Sequence, residues 1–157
     1  MADAGDPTAV LRGLIQRFAD AKACWFSSVR PDGRAHCVPI WHVWYQGRVY
    51  VVTHPGSVKI GNIRLHPGVV VTHPDVSDTV IIEGTAVERP EMRDILGPLF
   101  RAKYDWFIEK DPEWDAIIEV TPSKLMAWGQ YGEGRWRGEE ISKIILSAGG
   151  EPRDASL

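Results

Sequence analysis

Thr53, Ser57 and Lys59 stand four and two residues apart in the stretch THPGSVKIGNIRLHP, residues 53–67. Two hydroxyls and one ammonium at the start of a short helical pattern suit an anion. The first backbone N–H groups of a helix lack intrahelical partners and already favour negative charge there. Phosphate is the anion this set matches. Gly56 and Gly61 would let the backbone come close to a ligand or a neighbouring element. The same residues also fit a plain helix cap by Ser57 with a solvated Lys59, so spacing alone leaves two readings open.

Other combinations offer less. His36, His42, His54, His66 and His73 are numerous. His36 and His42 could share a strand face, but no tight His/Cys/carboxylate spacing marks a metal site, and none is expected. Ser27, Ser28 and Ser57 lack a nucleophile motif such as G-x-S-x-G, which argues against hydrolysis.

Elements must position the 53–59 group. Asp6-Pro7 is a helix start, with Val10, Leu11, Leu14, Ile15 and Phe18 recurring on one face. AKACWFSSV, RAHCVPIWHVWY and RVYVVT read as three strands of an antiparallel meander, joined at RPDG and at Gln46-Gly47. GVVVTH and TVIIEGTAVER form a second antiparallel pair. Pro90 opens a helix to about Lys103, Tyr104 to Trp114 reads as a further helical piece, and AIIEVTPSKLMAWG is a last strand with Pro122 at an edge or bulge. Pro39 removes a ladder donor inside the second strand, so an edge, a bulge or a ligand is expected there. Alternation sets His36, Val38, Ile40, His42 and Trp44 on one face and Cys37, Pro39, Trp41, Val43 and Tyr45 on the other. The fold class expected is mainly β (α+β), a six-stranded antiparallel barrel with peripheral helices, forming one domain over residues 1–146 with a frayed tail at 147–157.

At 157 residues the chain is long enough for one well-buried core. Cys24 and Cys37 suit neither a disulfide scaffold nor a zinc knuckle, which makes a reducing, cytoplasmic setting the default. The N-terminus does not read as a signal peptide, and no apolar run approaches membrane-spanning length. A net charge of −3 gives no broad attraction for nucleic acid.

From about Ala21 to Gly129 the sequence resembles the pyridoxamine 5'-phosphate oxidase-like superfamily of flavin-binding split β-barrels. That family carries T-x-x-x-S-x-K after a strand, then an apolar residue four after the lysine and a proline eight after it. Thr53, Ser57, Lys59, Ile63 and Pro67 match. Asp32-Gly33, the strand Val38-Pro39-Ile40-Trp41, and IEGTA at Ile82 to Ala86 resemble the family's other motifs in the right order.

The resemblance implies that Thr53, Ser57, Lys59 and the backbone at Val58 hold the cofactor phosphate. Val38, Pro39, Ile40, Trp41 and His42 would run beside the isoalloxazine ring, with Val52 near the same site. Thr79 falls where the oxidase branch has a flavin-contacting glutamine. Trp128 would border the flavin of a partner subunit, or else be a core tryptophan. FRAKYDWFIEKDPEW, residues 100–114, has acidic residues that oppose nucleic acid, and is expected to be a dimer contact or a lid beside the cofactor.

Two departures exclude the eponymous enzyme. Cys37 and His42 stand where true pyridoxamine phosphate oxidases carry an arginine and a lysine, and WGQYGEGRWRG has no counterpart of the pair that grips pyridoxal phosphate. The expectation is therefore a homodimer with FMN at the interface, passing hydride to or from a small organic substrate without a catalytic acid. His42 would touch the ring edge or be a hydrogen-bonded core residue. The alternatives are the deazaflavin coenzyme F-420, with Arg30, Arg34 and Arg64 lining an outer basic groove for its anionic tail, or a non-enzymatic flavin or haem binder.

Overall fold

The computed structural model describes residues 6–146, so the expected tail at 147–157 lies outside the described residues. The first element, α1 (Pro7–Asp20), starts where Asp6 accepts the Thr8 N–H at 3.1 Å. Its buried stripe of Leu11, Leu14, Ile15 and Phe18 packs onto the sheet.

Eight strands follow in one curled antiparallel sheet: β1 (Cys24–Val29), β2 (Ala35–Ile40), β3 (Val43–Tyr45), β4 (Arg48–Thr53), β5 (Gly68–Thr72), β6 (Thr79–Glu88), β7 (Ala116–Trp128) and β8 (Gly134–Arg137). Their order is β2-β1-β5-β6-β7-β4-β3, with β8 paired to β7. The two edge strands β2 and β3 are consecutive in the chain, so the curl brings the sheet's edges to the same corner. The helices are peripheral: α1, α2 (Val58–Leu65), α3 (Arg93–Tyr104) and the short α4 (Gly138–Ile141).

The strand count exceeds the expected six for two reasons. RAHCVPIWHVWY breaks at Trp41 and His42, because groups from the end of α3 take the backbone there. The His42 N–H donates to the Tyr104 hydroxyl at 3.0 Å, and the Lys103 ammonium donates to the His42 carbonyl at 2.7 Å. The residues after Gly132 add β8. As a result β1 and β2 form one hairpin and β3 and β4 another, instead of a continuous three-stranded meander.

Alternation survives the break. Ile40, His42 and Trp44 face the main core, while Val43 and Tyr45 pack with Tyr50, Val52, Leu96 and Phe100 under α3. Pro122 lies within β7 beside a register shift opposite Glu83 and Gly84, which identifies a bulge. A Cβ on Gly84 would stand 2.6 Å from the Thr121 carbonyl oxygen, so glycine alone fits where the bulge presses the strands together. Among the described residues no helix is long and apolar enough to cross a membrane.

Candidate functional site

Strand β4 ends at Thr53, and His54 to Gly56 turn the chain into α2, whose N-terminal flank is Ser57 in extended conformation. The Ser57 hydroxyl makes no capping bond, and its Oγ is buried without a hydrogen-bond partner. Such an atom ordinarily costs stability, and beside a helix start it is available to bond a ligand. Lys59 extends beside it, makes no ion pair among the described residues, and is pushed below its ordinary pKa by burial. A bound anion would reverse that shift, because it favours the charged ammonium.

Ser57, Thr53 and Lys59 line one end of a cavity of about 550 Å³. The rest of the lining comes from Pro39, Ile40 and Trp41 around the end of β2, Val51 and Val52 of β4, and Trp106, Asp111 and Trp114 of the segment after α3. The aromatic groups run as a chain. Trp41 meets Trp106 edge to face at 5.8 Å, Trp106 meets Trp114 at 5.5 Å, and Trp114 leans on the His54 ring at 4.0 Å. The cavity thus joins a cationic, hydroxyl-bearing end to a body walled by flat apolar rings.

Residues 105–115 owe this position to two devices. Asp105 ends α3 in left-handed conformation at φ 54°, which turns the chain back over β4. The Arg93 guanidinium then donates to the carbonyls of Ile108 (2.6 Å), Asp111 (3.4 Å) and Trp114. Trp106 is fixed further by its Nε1–H, which donates to Asp111 Oδ2 at 2.6 Å. The expected helix over this segment is reduced to a single 3-10 turn, Ile108–Lys110, since its carbonyls serve Arg93 in place of a helical ladder.

Of the residues singled out from sequence, Pro39, Ile40, Trp41, Val52, Thr53, Ser57 and Lys59 share this cavity. Val58 is the first helical residue beside it and is exposed, and Val38 packs against the core from β2. His42 is turned away. Its ring is fully buried, lies 4.7 Å from the Phe18 ring, and donates from Nε2 to the Phe18 carbonyl at 2.9 Å. The alternation that points Pro39 and Trp41 to the cavity sends His42 to the core, so the hydrogen-bonded core role is the one it has. Thr79 and Trp128 are cross-strand partners at one end of the β6/β7 pair, outside the cavity, with Trp128 52 % exposed.

Val51, His54, Trp106, Asp111 and Trp114 line the cavity without having been singled out individually. The aromatic spacing of residues 100–114 is the signal for Trp106 and Trp114; Asp111, His54 and Val51 adjoin marked positions and carry no cavity signal of their own. Of Arg30, Arg34 and Arg64, expected to line an outer basic groove, two carry acidic partners at the surface. Arg34 pairs with Asp32 at 2.8 Å, and Arg64 grips Glu88 through two bonds of 2.7 and 3.0 Å.

Comparison with known proteins agrees with this architecture. A family model described as pyridoxamine 5'-phosphate oxidase matches residues 11–129. No curated protein sequence matches the chain. Among solved structures, general stress protein 26 from Bacillus anthracis superposes with a TM-score of 0.62 at 19% identity, covering 81% of this chain and 98% of that one. A protein described as an F420 reductase gives 0.58 at 21% identity, over 70% of this chain and 94% of the other. A haem-binding protein from Mycobacterium smegmatis gives 0.66 at 13% identity, over 91% and 61%. At these identities the likeness is one of fold.

Proposed function

Because the chain belongs to the pyridoxamine 5'-phosphate oxidase family, with the match spanning residues 11–129, we propose that it is an FMN-binding oxidoreductase acting on a small organic molecule. The observation that carries this reading is the buried, unpartnered Ser57 Oγ beside Thr53 and Lys59, at the polar end of an aromatic-walled cavity. Two hydroxyls, an ammonium and the free N–H groups of α2 are the donor set a phosphate monoester needs. The flat walls beyond them suit a planar ring system.

When bound, the flavin supplies two-electron chemistry, taking up or giving a hydride. The chain's own residues would bind and orient. Thr53, Ser57 and Lys59 would fix the phosphate, Pro39 to Trp41 would border the ring, and Trp106 and Trp114 would exclude water from above it. Cys37 and His42 leave the site without the arginine and lysine of true pyridoxamine phosphate oxidases, so a different substrate is inferred.

The outer face of the sheet supports a second copy as partner. Pro39, Trp25, Thr72, Ile81 and Met126 follow one another across four strand pairings on that face. Trp25, Trp41 and Trp128 are 42, 49 and 52 % exposed. An apolar patch of this kind marks an interaction surface, and in a dimer Thr79 and Trp128 would approach the partner's cofactor. The test is titration of the purified protein with FMN, followed by absorption spectra and sedimentation, and then a screen for reduction of quinones and enones. Quenched flavin fluorescence, a dimer and turnover are expected; binding without turnover would reduce the reading to a carrier, and no binding would reject it.

A further inference from the structure

The cavity does not end at the cradle. A shallow open groove shares His54 and Ser57 with it and continues along Pro55 and Gly56 on one side and Pro112, Glu113 and Asp115 on the other. None of its lining residues is lysine or arginine. Asp115 lies 3.7 Å from Arg93, which offsets part of its charge, whereas Glu113 is exposed and makes no ion pair among the described residues. Anything that extends past the phosphate toward this groove therefore meets carboxylates.

On the FMN-site reading above, we propose that Glu113, assisted by Asp115, sets a charge limit on the ligand: a flavin ending at its phosphate monoester is accepted, and one continuing with further negative charge is rejected. The cradle itself attracts anions, so it cannot make this distinction. The repulsive element must stand just beyond it, and discrimination between related ligands often depends on such an element. A like charge at the rim acts over a distance set by ionic strength, so the effect fades with salt.

Dissociation constants for FMN, FAD and coenzyme F-420 should be measured with wild type, Glu113→Gln and Glu113→Lys, at low salt and at half-molar salt. The exposed position of Glu113 makes both variants compatible with folding, which circular dichroism would verify. Wild type is expected to bind FMN at least tenfold more tightly than FAD or F-420. Glu113→Lys should bind the two longer ligands about tenfold more tightly than wild type at low salt, with Glu113→Gln in between and FMN within twofold of wild type. The gain should shrink in high salt. FMN binding accompanied by equal affinity for the longer ligands, or by no gain in either variant, would overturn the charge limit and leave the FMN site standing. Failure of all three ligands to bind would overturn both.

Discussion

The Trp41 indole lies flat against the Tyr104 phenol, with ring centroids 4.4 Å apart and planes 1° apart. This stack joins the end of β2 to the end of α3 at the corner where the sheet's edges meet. The Tyr104 hydroxyl accepts the His42 N–H and lies within donating distance of the Lys22 carbonyl, at 2.9 Å. Tyr104→Phe keeps the ring and removes these bonds, so it should destabilise the protein by about 1–3 kcal/mol in urea unfolding. An unchanged midpoint would mean that the strand break is held by Lys103 alone.

Arg93 holds three carbonyls of the segment that carries Trp106 and Trp114. Arg93→Met releases them. Tryptophan emission should shift to the red, and FMN affinity should fall about tenfold, equivalent to ~1.4 kcal/mol. Unaltered emission and affinity would show that packing against Phe100 suffices to position the loop.

His42 gives stability a pH dependence of known sign. Burial, followed by the nearby Lys103 charge, lowers its pKa from 6.5 to about 3. Between those values the unfolded chain binds a proton that the folded protein refuses. The contribution is therefore fully present above pH 6.5 and is lost as pH falls toward 3, at about 1.4 kcal/mol per pH unit. His42→Gln, which retains a donor for the Phe18 carbonyl, should show a shallower decline over this window in urea titrations at stepped pH. A slope equal to that of wild type would place the acid sensitivity elsewhere.

Local chemistry made much of the architecture legible. Asp6-Pro7 marks the start of α1, the apolar alternation of β2 survives its break, and Pro122, which suits an edge or a bulge, lies at a bulge. Thr53, Ser57 and Lys59, whose spacing alone leaves a plain cap open, line one cavity. The interruption at Trp41 and His42 was illegible, because the groups that take its backbone lie some sixty residues onward in α3. A nearer non-local group, 15 to 21 residues upstream, hid the fate of residues 105–115. Their composition leaves a dimer contact or a lid open, and the choice between helix and irregular loop rests on Arg93, whose bonds to three carbonyls no local pattern reveals. For His42 both a ring contact and a hydrogen-bonded core role are open in the sequence, and its bond to the Phe18 carbonyl is the core role.

The proposed cradle holds a phosphate, and the difference between FMN and riboflavin isolates that group. Wild type should bind FMN at least a hundredfold more tightly than riboflavin. Lys59→Ala should weaken FMN by ~1.5–3 kcal/mol, the worth of a charged hydrogen bond, and leave riboflavin nearly unchanged, so that the gap narrows to within tenfold. Equal affinity of the wild-type protein for the two flavins, or an FMN affinity indifferent to Lys59→Ala, would contradict it.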